Sequence, residues 1–241
     1  MYRKTAVMVG ALFIIGTVSG VLSGIMISPI QNTPETLTSI STHETQWILG
    51  TLLILVMGFA LAMIPVLLYP VFKKHNEVLA LGAVLFRGVL EAVCYLAIVM
   101  LMLLLASASR IGFGGSTADA SALQISGALL ISAGDWLGQI LAVVFSIGAL
   151  IIYFLFYQTR LIPRWLSGWG FVGAMLYFAA PLMSMFSPQH PALSLGSPLG
   201  FLMAPLALQE MVFAVWLIVK GFSLPPVPTT KKQIFATTGV Q

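Results

Sequence analysis

Long apolar runs separated by short polar segments are the main pattern along this sequence. A transmembrane α-helix needs about 20 apolar residues, and each of these runs reaches that length. Their continuous apolar character favours helices over the alternating strands of a membrane barrel, because the backbone inside lipid must satisfy its own hydrogen bonds. The predicted spans are residues 5–27, 47–72, 78–107, 135–158, 163–186 and 198–221.

The pattern predicts an all-α fold, a polytopic membrane bundle of six transmembrane helices in a single domain over residues 1–222. Residues 223–241, which include prolines and lysines, are predicted to form a disordered tail. Residues 28–46 are interpreted as a polar outer loop. Residues 119–134 have too few apolar side chains to cross a bilayer, and the pattern leaves open whether they form a separate outer helix or extend the fourth span.

Composition supports a membrane protein and excludes a water-soluble globule. The chain has 241 residues, of which 59% are hydrophobic and 7% charged, whereas soluble domains have about 25% charged residues. The lipid bilayer is therefore the predicted partner. The formal net charge is +4, but the basic residues lie scattered in short loops without a basic face, so no nucleic acid partner is predicted.

The basic residues fall almost entirely on one side of the predicted spans. On that side lie Arg3, Lys4, Lys73, Lys74, Arg160, Arg164, Lys220, Lys231 and Lys232. The other side has Arg110. Because cytoplasmic loops carry the excess of Lys and Arg, both termini are predicted to face the cytoplasm. Trp47, which opens the second span, is predicted to be an anchor at the outer membrane interface.

The third span, Glu77 to Ser107, is the segment around which the rest of the chain is organised. It contains Arg87 and Glu91, and a charge at the centre of a membrane helix costs about 2.5–3.5 kcal/mol. The spacing of four residues places both side chains on one helix face. From the helical rise, Arg87, Glu210 of the sixth span and Glu91 lie about 14, 16 and 20 Å from the cytoplasmic side. We therefore predict one buried cluster of these three residues, with the neighbouring Gln209, that joins the third and sixth spans.

Two functions are consistent with this predicted cluster. One Arg between two carboxylates leaves a surplus negative charge unless one carboxylate is protonated, and buried carboxylates of this kind serve proton-coupled carriers. The first hypothesis is therefore a protein that binds or transports a small molecule or ion at Arg87, Glu91, Gln209 and Glu210. The alternative is a structural or regulatory membrane subunit in which the same residues only hold helices together.

Other residues give little indication of catalysis. The histidines lie in loops on both sides without a metal-binding spacing, so neither a metal nor a cofactor is predicted. No nucleotide-binding or hydrolase motif occurs in a fitting context, which disfavours an enzyme. Cys94 is predicted to be a buried, inert thiol, and Asp135 is predicted to cap a helix at the outer surface. Small-residue ladders in the first and fourth spans predict close helix packing within the chain or in a homo-oligomer.

Three stretches resemble a known family: LYPVFKKHNEVLALGAVLFRGVLEAV, QTRLIPRWLSGWGFVGAMLY and LALQEMVFAVWLIVKGF. They are similar to bacterial membrane proteins grouped as domain of unknown function 4386, and the resemblance covers nearly the whole chain except the tail and the outer loops. It implies a single multi-span domain in a bacterial or archaeal cell membrane. The family has no assigned activity, so the resemblance provides no catalytic or binding residues.

Overall fold

The computed structural model describes residues 2–31, 33, 35–112, 117–187, 193 and 197–223, with only the backbone of residues 112 and 117–123. This part of the chain is helical and contains no strand. Of the predicted tail at 223–241, Ser223 alone lies within the described residues. The helices are α1 (Tyr2–Gln31), α2 (Thr36–Thr42), α3 (Glu44–Phe72), α4 (Glu77–Ala83), α5 (Glu91–Gly112), α6 (Thr117–Thr159), α7 (Arg164–Met185) and α8 (Gly200–Val219), with a π-helical segment, Val84–Leu90, between α4 and α5.

Six helical stretches in the described residues are long and apolar enough to cross a membrane. They are Tyr2–Gln31, Glu44–Phe72, Glu77–Ile111, Gln124–Thr159, Arg164–Met185 and Gly200–Val219. The predicted all-α bundle with six spans is confirmed, and the protein is a multi-pass membrane protein by the length and composition of its helices. The cytoplasmic location of the termini stays a prediction.

The six spans pack in chain order around a ring. Along the chain, α1 packs on α3, α3 on α5, α5 on α6, α6 on α7 and α7 on α8, and α8 closes the ring on α1. Aromatic side chains fill part of the interior. Phe213 of α8 makes edge-to-face contacts with Phe13 at 5.5 Å and with Phe156 at 5.2 Å between ring centroids. In this order the third and sixth spans occupy opposite positions in the ring.

Contacts among the basic loops define one end of the bundle. Arg3 Nη2 donates to the Ile218 carbonyl at 2.8 Å, which ties the start of α1 to the last turn of α8. Lys74 Nζ donates to the Tyr2 hydroxyl at 2.7 Å, and the Ser223 N–H bonds to the α6–α7 connection at 2.7 Å. We call this end the basic end, and the end that holds α2 the distal end.

The fourth span is longer than predicted. Helix α6 is continuous from Thr117 to Thr159, so residues 119–134 extend this span rather than form a separate helix. Asp135 therefore lies inside a helix, and the prediction that it is a helix cap is wrong. The described residues of the segment at 28–46 are mostly helical rather than a polar loop, because α1 continues to Gln31, α2 follows it and α3 begins at Glu44.

Trp47 lies inside the bundle, which corrects its predicted role as an interfacial anchor. Its side chain is 1% exposed, and its indole Nε1 donates to the Met102 carbonyl of α5 at 2.9 Å. Trp47 belongs to a buried apolar cluster together with Ile40 of α2. Because α2 packs over the distal end and α5 supplies an acceptor for the indole N–H, the indole ring of Trp47 is more stable inside the bundle than at the lipid surface.

Candidate functional site

The third span contains a π-helical segment, Val84–Leu90, between α4 and α5. Such segments bond from residue i to i+5, which widens the turn, and they occur frequently at functional sites. Arg87 lies in the middle of the segment, and Glu91 is the first residue after it. The only local signal in the sequence is the weak helix propensity of Gly88, which does not distinguish a π-helical segment from an ordinary helix.

Arg87 joins two carboxylates from opposite positions in the ring. Its Nη1 donates to both oxygens of Glu91, at 3.2 and 3.1 Å. Its Nη2 donates to Glu210 Oε1 of α8 at 2.9 Å. The side chains of Arg87 and Glu91 are each 1% exposed, and that of Glu210 is 13% exposed. The three side chains form one cluster, the Arg87 cluster, which crosses the interior of the ring.

Helix α6 supplies a wall of this cluster that sequence reasoning did not identify. The Phe145 ring centroid lies 3.9 Å from Arg87 Cζ, which is cation–π geometry. One turn further along, the backbone of Gly148 lies against Arg87, since a Cβ at position 148 would be 2.8 Å from the Arg87 N and Cβ atoms. Phe145 and Gly148 are three residues apart and share a helix face. The absence of a side chain at Gly148 therefore brings α6 close enough for Phe145 to cover the guanidinium.

Gln209 lies beside Glu210 in the sequence but bonds elsewhere. Its Nε2 donates to the Leu166 carbonyl of α7 at 3.0 Å. Successive side chains on a helix point in directions about 100° apart. The Gln209 side chain therefore points away from the Glu210 carboxylate, which accepts the hydrogen bond from Arg87. The structure thus brings together three of the four predicted site residues and attaches the fourth to a neighbouring helix.

Three tyrosine side chains lie near the cluster. Tyr95, Tyr153 and Tyr177 lie within electrostatic range of its charges. The Tyr153 hydroxyl is also near the Gln209 amide, but within the described part of the chain neither Tyr153 Oη nor Gln209 Oε1 has a partner with hydrogen-bond geometry. The sequence did not predict the position of these tyrosines, because a Tyr near a buried charge and a Tyr that only packs against apolar side chains have the same sequence pattern.

The charge balance of the cluster determines its chemistry. One guanidinium and two carboxylates carry a net charge of −1 when both carboxylates are ionised. Such a charge is costly inside the bilayer, and a proton on one carboxylate or a bound cation removes it. The arrangement suits ion binding more than nucleophilic catalysis. The thiol of Cys94 is buried, and buried thiols are generally unreactive. Within the described residues, no group of three or more His, Cys, Asp or Glu side chains is placed to hold a metal ion.

The fold and this site define a multi-pass α-helical membrane protein with a buried ion-pair cluster. Residues 8–221 match the family model described as Domain of unknown function (DUF4386), and the chain belongs to this family. Its description assigns no activity. No curated protein and no solved structure matches the chain. The function is therefore inferred from the geometry of the site.

Proposed function

We propose that this membrane protein binds a small ion at the Arg87 cluster, and that the ion is a proton. In this proposal the bound proton is the coupling ion for movement of a small molecule or ion across the bilayer. The observation that carries the proposal is that one buried guanidinium holds two carboxylates from opposite spans, which leaves one negative charge in excess. Buried ionisable groups inside a membrane commonly mark ion pathways and proton relays.

Glu210 is the carboxylate at which we place the proton. Glu91 accepts hydrogen bonds from Arg87 through both of its oxygens, whereas Glu210 accepts through Oε1 alone. The Glu210 side chain is also 13% exposed, compared with 1% for Glu91. A proton on Glu210 Oε2 would leave every described hydrogen bond of the cluster in place and make the cluster electrically neutral.

Proton binding at Glu210 is coupled to helix packing in this proposal. A neutral Glu210 attracts Arg87 less strongly than an ionised one, because the charge-assisted hydrogen bond is the stronger kind. The tie between α8 and the π-helical segment is then weaker when the proton is bound. A carrier needs such a link between occupancy of its site and the arrangement of its helices.

A structural clasp is the second candidate function. It is favoured by the full engagement of Arg87, which uses both Nη atoms for carboxylates and has the Phe145 ring over its guanidinium. In a clasp the carboxylates keep fixed protonation states, and the cluster contributes only to helix association.

Infrared spectroscopy during a pH titration of the purified protein in nanodiscs separates the two candidates. Proton binding at Glu210 predicts the carbonyl band of a protonated carboxylic acid, with an intensity that changes with pH. This band should disappear in Glu210→Gln. It should persist in the control Glu77→Gln, which removes an exposed carboxylate. A clasp predicts no titrating band from the cluster, together with a loss of thermal stability in Glu210→Gln. A band that is unchanged in Glu210→Gln would also contradict the proposal.

A further inference from the structure

A second feature of interest is a cavity of about 310 Å³ between α1, α3, α5 and α6. This volume lies in the range of small-molecule sites, which are typically about 300–1,000 Å³. Apolar side chains such as Ile54, Met57 and Ile98 form much of the wall. Trp47 and Asp135 also line it. None of the residues in the Arg87 cluster belongs to this lining, so the cavity is a separate site.

The cavity lies at the depth in the membrane where an amphiphile would lie, with one end in the hydrocarbon region and the other at the polar interface. Ile98 lies seven residues beyond Glu91 on α5, which places this wall about 10 Å distal to the Arg87 cluster. Asp135 lies 24 residues before the end of α6, about 36 Å from the basic end, and the hydrocarbon core is about 30 Å thick. The cavity thus extends from the hydrocarbon region to the polar interface.

The polar part of the lining has a negative charge without a partner. Within the described residues, Asp135 has no hydrogen bond or ion pair. The nearest cation by sequence position at this end, Arg110, is bound to Glu44 through its Nε at 2.6 Å. A carboxylate at the polar end of an apolar cavity is a combination that attracts ammonium groups through charge pairing.

We propose that this cavity binds a small amphiphile with one positive charge, of the alkylammonium class. The ammonium group lies near Asp135, and the apolar chain lies along Ile54, Met57 and Ile98. The proposal goes beyond the ion-binding function of the Arg87 cluster and depends on different residues. The same ammonium chemistry is present in free lipophilic cations and in choline lipid headgroups, so the test includes both sources.

Isothermal titration of the full-length protein in nanodiscs made of a neutral glycolipid tests the proposal, with octyltrimethylammonium as the probe. We expect saturable binding to the wild type. Asp135→Asn should weaken it about tenfold, which corresponds to the loss of one charge-assisted contact. The matched control is Glu35→Gln, which removes an exposed carboxylate at the same end that does not line the cavity. Neutral 1-octanol should partition equally into all three samples.

A second variant tests the cavity independently of charge. Gly24 lines the cavity and has no atom within 4 Å of an added Cβ, so Gly24→Leu should fold and occupy part of the space. We expect it to reduce probe binding about tenfold, from the steric loss of one or two buried methylene contacts. Repeating the titration in phosphatidylcholine nanodiscs separates the sources: lower probe affinity there identifies the lipid headgroup as a competing occupant, and equal affinity identifies a free cation.

Two results would overturn the proposal. The first is the absence of saturable binding to the wild type. The second is an equal loss of affinity in Asp135→Asn and Glu35→Gln, because general attraction of the probe to an acidic surface would then explain the binding. Changes at Glu210 should leave probe binding intact, so failure of this site and failure of the proposed proton site can be told apart.

Discussion

At the scale of single residues, the burial of the Arg87 charge has a large energetic cost. Arg87 is a charged side chain with 1% exposure inside a membrane-spanning helix, and it contacts two carboxylates and an aromatic ring. Moving a charge into the bilayer costs free energy. If one member of a buried ion pair is removed, the other charge stays buried without a counter-ion, which destabilises the fold. The consequences of removing Arg87 and of removing a surface charge should therefore differ strongly.

We predict that Arg87→Met lowers the free energy of unfolding by about 3–5 kcal/mol, the range found when one partner of a buried ion pair is removed. Met fits the apolar surroundings, but it leaves Glu91 and Glu210 buried without a cation. Unfolding in mixed micelles with increasing denaturing detergent measures the change. The matched control is Arg110→Met, which removes the exposed partner of Glu44 and should have little effect.

The double variant Arg87→Met with Glu91→Met provides a further check on this interpretation. Since it removes two opposite charges together, it should recover part of the stability lost in Arg87→Met. A double variant that is less stable than Arg87→Met would show that volume or packing, rather than unpaired charge, determines the loss.

At the scale of elements, the contact between α6 and the π-helical segment holds the cluster in place. Gly148 allows the two backbones to approach, and the approach brings Phe145 over Arg87. Small residues at helix interfaces in membranes commonly have this role. Gly148 is therefore used for packing inside one chain.

Gly148→Ala should destabilise the protein by about 1–3 kcal/mol, the usual cost of overpacking, although Ala is the better helix former. The added methyl group would lie 2.8 Å from backbone and Cβ atoms of Arg87, so one of the helices must shift. Gly138→Ala on the same helix is the control, because nothing lies within 4 Å of its added Cβ. Thermal unfolding in detergent distinguishes them, and equal stability of the two variants would contradict this description of the interface.

The elements also show how far the sequence determines the fold. Membrane spans are predictable because the bilayer requires long apolar runs with internal hydrogen bonds. The proximity of Arg87, Glu91 and Glu210 follows from the four-residue spacing and from similar depths in the membrane. These arguments use only the helix period and the cost of buried charge, which a single sequence contains.

Other parts of the site depend on tertiary packing and could not be predicted. The inward position of Trp47 requires α2 to cover the distal end and Met102 to accept the indole N–H. The role of Gly148 depends on which helix lies opposite it. The direction of Gln209 depends on the neighbouring α7 backbone. Each of these features is set by a partner far away in the chain, and the sequence pattern around the residue is the same for either outcome.

At the scale of the whole molecule, the ring of six spans separates two sites by depth. The Arg87 cluster lies in the interior, where the third and sixth spans face each other, and the cavity lies toward the distal end between α1, α3, α5 and α6. The basic loops gather at the opposite end, where they contact each other. If this basic end faces the cytoplasm, as the distribution of Lys and Arg predicts, then the cavity faces the outer side and is accessible to amphiphiles in the outer leaflet.

This orientation can be tested by labelling single cysteines in intact cells with a membrane-impermeant maleimide. In a Cys94→Ala background, Thr38→Cys places a thiol on an exposed position of α2 at the distal end, and His75→Cys places one on an exposed position at the basic end. We expect rapid labelling at position 38 and labelling at position 75 only after the cells are permeabilised, because charged reagents do not cross the bilayer. The reverse result would place the basic loops outside and would make the cavity accessible from the cytoplasmic leaflet instead.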